Sequence, residues 1–330
     1  MTDGSPSGQL PRTGEPALVV RLFGWIMLAL VAAFLIANVL IVGWDYPGLG
    51  AISSGDPRAF VILAIYALCI ALAVARVFKT SNIALRYEAR QISDFNAYLI
   101  RGCYFAVLFM GIGDAVIALI RVEGALDVFF PEAIARGMAR ASWMGLWFHI
   151  PLLVLGFVVA AFSRSLGFIW LALLIVAAEL LIVFSRFVFS YEQAFMGDLV
   201  RYWYAALFLF ASAYTLLEEG HVRVDVLYAN LGMSSRGKVN AFGAIFLGMT
   251  TSWIIILIGL SGRHSIINSP VANFEVSQSG AAGLFLKYQM AAFLAVFAVT
   301  MLIQFVSYLF EAVADTRVEP GHVDHDPVIS

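Results

Sequence analysis

The chain has 330 residues, of which 62% are hydrophobic and 13% are charged, and its formal net charge is −2. Soluble domains carry about 45–50% apolar and about 25% charged residues, so this composition excludes an ordinary soluble enzyme and a disordered chain. The near-neutral balance also excludes a basic field for nucleic acid, and the apolar surplus indicates a membrane protein.

Apolar runs recur along the whole chain, and each approaches or exceeds the length of about 20 residues that a helix needs to cross a bilayer. Because the runs are continuous and do not alternate with polar residues, they predict an all-α membrane fold and not a β-barrel. With the N-terminus placed in the cytoplasm, inside segments hold twelve Lys and Arg residues against eight outside, which favours both termini inside. We predict eight spans, at residues 22–43, 59–77, 98–120, 143–162, 165–187, 202–217, 239–262 and 284–310.

Two stretches between spans, residues 79–96 and 191–201, mix apolar and charged side chains and predict amphipathic segments that lie along the membrane surface. The two ends of the chain are polar and predict disorder. The first apolar run is too long for a cleaved signal peptide. The two cysteines, Cys69 and Cys103, lie in apolar runs, and we interpret them as small buried hydrophobic residues.

Asp114 lies in the middle of the third span, at the end of the tetrapeptide GIGD. The pattern GxGD is found in intramembrane aspartyl proteases, whose chemistry needs a second aspartate to share a proton. Those proteases supply it in a Tyr-Asp pair, which this chain lacks. We therefore interpret Asp114 as a helix-packing or partner-facing residue, near Arg101 or Arg121.

A second protease-like pattern, GxSG, ends the seventh span at residues 259–262. In rhomboid proteases this serine begins a helix and pairs with a histidine on another span. Here Ser261 ends a helix and the last span has no histidine, although His149 lies in the fourth span just before Pro151. We interpret the match as coincidental.

Glu179 lies near the middle of the fifth span, and Arg186 follows two turns later on the same helical face. A charge in lipid is costly, so Glu179 is expected to face protein. It could belong to a proton or sodium relay, to a structural ion pair or to a contact with a partner subunit. We favour the last two, because one carboxylate makes no pathway.

The sixth span is followed by the charged sequence EEGHVRVD, residues 218–225. A metal site could be drawn from His221, Asp225 and the two glutamates, but nothing else with metal-ligand spacing accompanies them. A charged turn that joins two spans is the better interpretation, with Arg223 pairing with carboxylates and capping helix ends.

This turn resembles a known family. The stretch 208–228, FLFASAYTLLEEGHVRVDVLY, is similar to the small membrane subunit of the tripartite ATP-independent periplasmic (TRAP) transporters, the DctQ-like family. His221, Arg223 and Asp225 match the His-x-Arg-x-Asp of that family, and Arg186 matches its arginine at the end of the preceding span. Where the family has Trp-Glu-Glu, this chain has Met-Gly-Asp at 196–198, for which Glu192 and Asp198 are candidate substitutes.

The resemblance implies a four-span DctQ-like small permease domain at 165–315. It follows a disordered tail at 1–20 and a four-span extension at 21–164, and precedes a second tail at 316–330. The protein is then a multi-pass subunit of the bacterial inner membrane, with both termini cytoplasmic. The residues expected to be structural or to contact a partner are Arg186, Glu192, Asp198, Glu218, Glu219, His221, Arg223 and Asp225.

The resemblance also implies partners. These are a large DctM-like permease subunit on a separate polypeptide, a periplasmic DctP-like binding protein and membrane lipid. The large subunit takes up an organic anion, such as a dicarboxylate, at the expense of a sodium or proton gradient. We expect no cofactor, no metal, no nucleic acid and no catalytic residue. The alternative is a stand-alone channel or proton-relay protein that uses Asp114 and Glu179, and a third hypothesis is an intramembrane protease.

Overall fold

The computed structural model describes residues 10–164, 168–191, 193–217, 228–277 and 280–322, and the elements assigned within these ranges are helices, with no strand. Two π-helical segments, Met144–His149 and Ala244–Met249, join α6 to α7 and α10 to α11. The α-helices of the described residues are α1 (Leu18–Gly43), α2 (Pro57–Lys79), α3 (Leu85–Val122), α4 (Leu126–Phe129), α5 (Glu132–Met138), α6 (Ala141–Trp143), α7 (Ile150–Phe162), α8 (Phe168–Phe189), α9 (Ala194–Leu217), α10 (Met233–Gly243), α11 (Thr250–Gly259), α12 (Asn268–Ala272) and α13 (Lys287–Thr316).

Seven helical stretches within the described ranges are long and apolar enough to cross a membrane. They coincide with seven of the eight predicted spans and confirm the all-α membrane fold. The other predicted span, residues 202–217, lies in α9, which begins earlier and carries Asp198 and Arg201 in its first turns. The number of crossings and the side of each terminus stay predictions. The seven stretches are Leu18–Gly43, Pro57–Lys79, Leu85–Val122, Ala141–Phe162, Ile169–Phe189, Met233–Gly259 and Lys287–Thr316.

The chain divides into two compact units, each assembled from separate stretches of sequence. Unit 1 comprises Met1–Asp94, Gly220–Trp253 and Met301–Ser330, and unit 2 comprises Phe95–Glu219 and Ile254–Thr300. Each unit therefore combines residues from the N-terminal and the C-terminal half of the chain. Helices α3 and α13 contribute to both units.

Close packing in unit 1 depends on small residues. The helices α1 and α2 bury Ala33, Ala37 and Ala59, which let helices approach closely in a membrane. Gly24 of α1 lies under the ring of Phe310 of α13, and a Cβ there would lie 2.5 Å from that ring. The N-terminal half of the chain thus packs directly on the last helix.

The amphipathic stretch at 79–96 differs from the expectation of a separate surface helix. From Leu85 onward it forms the first turns of the 38-residue helix α3. Its charged residues Arg86 and Glu88 are buried, because both are held in ion pairs within unit 1. This mixture of apolar and charged residues therefore forms the packed first turns of α3.

The fourth predicted span contains the first π segment, directly before Pro151. Proline has no N–H to donate, and its ring crowds the carbonyl one turn earlier, so it disturbs the helix at this point. The turn that ends at His149 widens accordingly. Single π turns of this kind occur frequently at functional sites.

Helices α8 and α9 pack as a hairpin in unit 2. The buried residues of α8, Leu171, Ile175 and Ala178, form one stripe at helical spacing. After α8, Ser190 has a left-handed backbone conformation, with φ 52°. The stretch predicted to lie along the surface at 191–201 joins α9 from Ala194 onward.

Candidate functional site

Unit 2 contains a buried polar network drawn from four parts of the chain. Asp114 lies on α3, His149 ends the π segment, and Tyr202 lies on α9. Tyr288 and Gln289 lie in the first turn of α13. All five are buried, and Asp114 is fully inaccessible. Buried polar groups are costly unless they are hydrogen-bonded, and within the described residues Asp114 Oδ1 and His149 Nε2 are the two side-chain atoms of this network that lack a hydrogen-bond partner.

Asp114 holds the entry of the last helix. Its Oδ2 accepts a hydrogen bond of 2.7 Å from the backbone N–H of Phe285, two residues before α13 begins at Lys287. A carboxylate here lies in the favourable field of a helix N-terminus and satisfies a buried donor. Asp114 thereby links α3 to the segment that precedes α13.

Asp198, a predicted interface residue, binds the adjacent residue of the same segment. Its Oδ2 accepts a hydrogen bond of 3.3 Å from the backbone N–H of Leu284. Its other oxygen lies 3.9 Å from a guanidinium nitrogen of Arg201, one helical turn later. The structure thus brings Asp114 and Asp198 together at residues 284 and 285. A contact between Asp198 and another subunit stays a prediction.

His149 connects Asp114 to the rest of the network. Its Nε2 lies 3.5 Å from Asp114 Oδ1, which is long for a hydrogen bond, and its Nδ1 lies 2.9 Å from the hydroxyl of Tyr288. The Tyr288 oxygen accepts a 3.1 Å hydrogen bond from Gln289 Nε2, and Gln289 Oε1 accepts one of 2.5 Å from the Tyr202 hydroxyl.

The order of donors assigns the histidine tautomer. Because Tyr288 accepts from Gln289, its hydroxyl hydrogen is available for Nδ1 of His149. The imidazole proton then lies on Nε2, which faces Asp114. The geometry therefore describes an oriented chain of polar groups between Tyr202 and Asp114.

Arg121, in the last turn of α3, secures the same segment from another side. One of its NH2 groups donates a 2.6 Å hydrogen bond to the carbonyl of Gly283, and its guanidinium lies 3.9 Å from the centroid of the Phe285 ring. The sequence suggested Arg121 or Arg101 as a neighbour of Asp114. The structure shows that Arg121 binds the segment held by Asp114, while His149 and the Phe285 N–H contact the carboxylate.

Phe274 and Gly145 lie beside this network, the first with a strained backbone and the second in close contact with the Phe274 ring. Phe274 has a left-handed backbone with φ 48°, which is costly for a bulky residue. Its ring packs edge-on against Tyr288 at 5.3 Å between centroids. It also lies against Gly145, where a Cβ would be 2.3 Å from the ring. Glycine in the π segment therefore makes room for Phe274.

Unit 1 contains a second buried charged cluster, at the start of α3. Arg21 of α1 and Glu88 of α3 are fully buried and form an ion pair, with Arg21 Nε 2.5 Å from Glu88 Oε2. Arg21 also donates to the carbonyl and the hydroxyl of Thr80, and Trp25 Nε1 donates to Glu88. These bonds satisfy both charges and join the ends of α1, α2 and α3.

Arg86 joins α3 to the end of α13. Its two terminal nitrogens lie 2.6 Å from carboxylate oxygens of Glu311 and Asp315. Two turns further along α3, Ser93 shares a 2.8 Å hydrogen bond with Ser307 of α13. These contacts again link the N-terminal half of the chain to its last helix.

The other residues that the sequence singled out fall in three groups. Glu179 and Arg186 are exposed on α8, and Arg186 takes part in an interaction of its own. Ser261 lies two residues after the end of α11 and is exposed, and its hydroxyl donates to the Ile258 carbonyl of that helix. The remaining predicted interface residues lie outside the described residues. They are Glu192, Glu218, Glu219, His221, Arg223 and Asp225.

Outside the spans, two hydrogen bonds shift a pKa. The carboxylate of Asp56 caps α2 and accepts from the side chain and backbone of Arg58, which lowers the pKa of Asp56. The hydroxyl of Tyr191 donates a 3.1 Å hydrogen bond to Glu123, which raises the pKa of Tyr191. The second bond ties the segment between α8 and α9 to the end of α3.

Sequence reasoning singled out Asp114 but missed its partners. His149 stands out in the sequence only by its place beside Pro151, and Tyr202, Tyr288 and Gln289 lie in or beside apolar runs without a motif of their own. The available signal was their polarity within apolar runs, because a polar group in a membrane needs a partner. Which groups pair follows from helix packing, which the spacing along the chain does not give.

The comparisons with known proteins agree with the resemblance seen in the sequence of residues 208–228. Residues 174–315 match the model of the family described as tripartite ATP-independent periplasmic transporters, DctQ component. Comparisons with curated proteins and with solved structures gave no match. The matched region includes α9 and α13 and the segment held by Asp114 and Asp198. Residues 174–315 are thus similar to the DctQ component of TRAP transporters, and they lie in a chain whose described residues include seven helical stretches long and apolar enough to cross a membrane.

Proposed function

We propose that this chain supports the uptake of an organic anion by a large permease subunit, driven by a sodium or proton gradient. A periplasmic binding protein delivers the solute to the pair. The observation that carries the proposal is the DctQ match over residues 174–315. On this proposal the chain is a rigid membrane partner and performs no reaction.

The internal contacts support a rigid partner. Arg21, Glu88, Arg86 and Asp114 are buried and hydrogen-bonded to groups of the same chain. A carrier that moves solute alone needs polar groups that exchange partners during transport. Buried charges held in this way favour a supporting role.

We further propose that the chain is organised as a four-span extension at 21–164 and a small permease domain at 165–315, flanked by disordered tails. The extension supplies Asp114, Arg121 and Arg86, which hold the segment before α13 and the end of α13. On this proposal the extension stabilises the small permease domain. On the same proposal, Arg186, Glu192, Asp198 and residues of the charged sequence 218–225 contact the large subunit.

Co-purification and transport test the proposal. The chain is co-expressed with a large TRAP permease from the same genome, purified, and reconstituted into liposomes with the binding protein. We expect a stable complex and gradient-driven uptake of an organic anion, such as a dicarboxylate, only when both membrane subunits are present. Failure to co-purify in both detergent and nanodiscs would contradict the proposal.

The alternative is a stand-alone channel or proton relay. The chain of polar groups from Tyr202 to Asp114 is the observation that favours it. It predicts that the chain alone passes protons in liposomes and that Asp114→Asn abolishes this flux. A supporting subunit shows no flux alone, so the same liposomes distinguish the two functions.

A further inference from the structure

Glu179 is an exposed carboxylate at the centre of a membrane-spanning helix. It lies eleven residues after Phe168 and ten before Phe189, the ends of α8. At 1.5 Å per residue it is about 15 Å from either end, which is the middle of a hydrocarbon core about 30 Å thick. The side chain is exposed, and within the described ranges no hydrogen bond or ion pair involves it.

Its own helix offers no partner for the charge. Val176 and Val183, at i−3 and i+4, are apolar and 56% and 50% exposed. Arg186 lies two turns away, about 10 Å along the axis, and has an interaction of its own. The carboxylate therefore faces outward from an apolar surface.

That surface is continuous along α8. Val176, Glu179, Leu180, Val183 and Phe187 project from one side of the helix, and we name this the Glu179 face. All five are exposed, with Leu180 at 64% and Phe187 at 81%. The buried stripe of α8, at Leu171, Ile175 and Ala178, lies beside this face, and α8 packs on α9. A helix that buries one stripe has its other side available for lipid or for another protein.

Lipid does not suit this face because of its charge. An ionised carboxylate in hydrocarbon is costly, and such groups almost always face protein or a water-filled cavity. Its complement is a cation or a strong hydrogen-bond donor at the same depth. The valine and leucine neighbours suit the apolar surface of a second membrane helix.

We propose that the Glu179 face docks a membrane-spanning helix of the large permease subunit, which presents an arginine or lysine to Glu179 at mid-membrane depth. The inference rests on the proposed function, since it takes the large subunit as the occupant. It adds the surface and the charge pair that determine recognition. The charge supplies orientation and register, and the apolar residues supply contact area.

Co-purification of variants with the large permease tests the pair. Polar contacts between membrane helices contribute about 0.6–1.7 kcal/mol, so Glu179→Leu is expected to weaken the complex about three- to twentyfold. Glu179→Lys is expected to weaken it further by repulsion, and Glu179→Asp to restore part of it. Val183→Trp is expected to block docking, whereas Leu68→Trp, on an exposed mid-helix position of α2, is not.

Photo-crosslinking gives a second readout that does not depend on folding of a destabilised variant. The crosslinking residue p-benzoylphenylalanine at position 183 is expected to capture the large permease, and the same residue at position 68 is not. Capture of a second copy of this chain, or only of lipid, at position 183 would overturn the proposal. So would unchanged complex formation by Glu179→Leu and Val183→Trp together.

The two proposals fail differently. If the wild-type chain brings down no large permease, the proposed function fails and the docking face falls with it. If the wild type forms the complex and the variants of the Glu179 face form it equally well, the function stands and the docking face is wrong.

Discussion

Helices α3 and α8 both carry a carboxylate at membrane depth, but the rest of the chain covers them very differently. In an apolar 18-residue stretch of α3, 44% of the residues are buried, against 17% in the corresponding stretch of α8. Asp114 of α3 is fully buried and accepts a backbone hydrogen bond, whereas Glu179 of α8 is exposed. The two residues are similar in the sequence and have opposite surroundings.

The difference teaches how to interpret a charge in a span. A charge that the chain itself satisfies holds the fold together, and removing it leaves a buried group without a partner. A charge that the chain leaves exposed adds nothing to its own folding and points outward. The following experiments measure how far this contrast between α3 and α8 holds.

The largest effect is expected at the start of α3. Glu88→Gln removes the countercharge of the buried Arg21, which is expected to lower the free energy of unfolding by about 3–5 kcal/mol. Unfolding of the purified protein in detergent micelles measures it. Glu132→Gln is the matched control, because Glu132 pairs with Arg136 on an exposed helix and contributes about 0.3–0.5 kcal/mol. Equal effects of the two changes would refute the buried pair.

Asp114→Ala is expected to have the next largest effect. It leaves the N–H of Phe285 and the ring of His149 without their partner, at an expected cost of about 2–3 kcal/mol. Asp114→Asn keeps an acceptor for the N–H and is expected to be milder. Thermal unfolding in detergent compares the two. If alanine and asparagine were equally harmful, the hydrogen bond to Phe285 would not be the reason.

Substitution of a glycine on α7, which packs against α3, is expected to lower the stability by a smaller amount. Gly156 of α7 faces the backbone of Ala106 on α3, and a Cβ there would lie 2.5 Å from the Ala106 nitrogen. Gly156→Val is expected to force the helices apart and to cost about 1–3 kcal/mol. Gly243→Ala is the control, since a Cβ at Gly243 meets nothing within 4 Å. A harmless Gly156→Val would contradict close α3–α7 packing.

Glu179→Leu is expected to change the stability of the isolated chain by less than about 0.5 kcal/mol, as for an exposed substitution. The measurement is the same unfolding experiment that is used for Asp114. A loss comparable to that of Asp114→Ala would show that the chain itself satisfies Glu179. The contrast between α3 and α8 would then be broken.

The smallest effect concerns the hydrogen bond that joins the two regions. Tyr191 donates to Glu123, and this bond raises the pKa of Tyr191, so its contribution is present at neutral pH. It is lost as the pH rises through the folded pKa, above the ordinary value of about 10. The tyrosinate absorbance of the wild type is measured against pH, and that of Tyr191→Phe is subtracted. The difference is expected to show a tyrosine that ionises above its ordinary pKa. Titration of Tyr191 at or below its ordinary pKa would contradict the bond.

The sequence predicted the spans well because continuous apolar runs are a strong local signal. It also identified Asp114 and Glu179 as exceptional, since both interrupt such runs. It did not separate them, because burial depends on which helices pack together. The same limit applies to His149, whose partner Tyr288 lies 139 residues away. The first turns of α3 show the same limit. Their mixture of apolar and charged residues predicts a segment at the membrane surface, whereas Arg86 and Glu88 are buried in ion pairs with residues that are remote in sequence.

The hydrogen bond between Asp114 and Phe285 has a consequence for exchange between related proteins. Its two members lie on either side of the proposed domain boundary at 164/165, as do Arg86 and its partners Glu311 and Asp315. A chimera that crosses over at that boundary would combine an acceptor from one parent with a donor segment from the other. Recombination in this chain is therefore constrained to move α3 and α13 together.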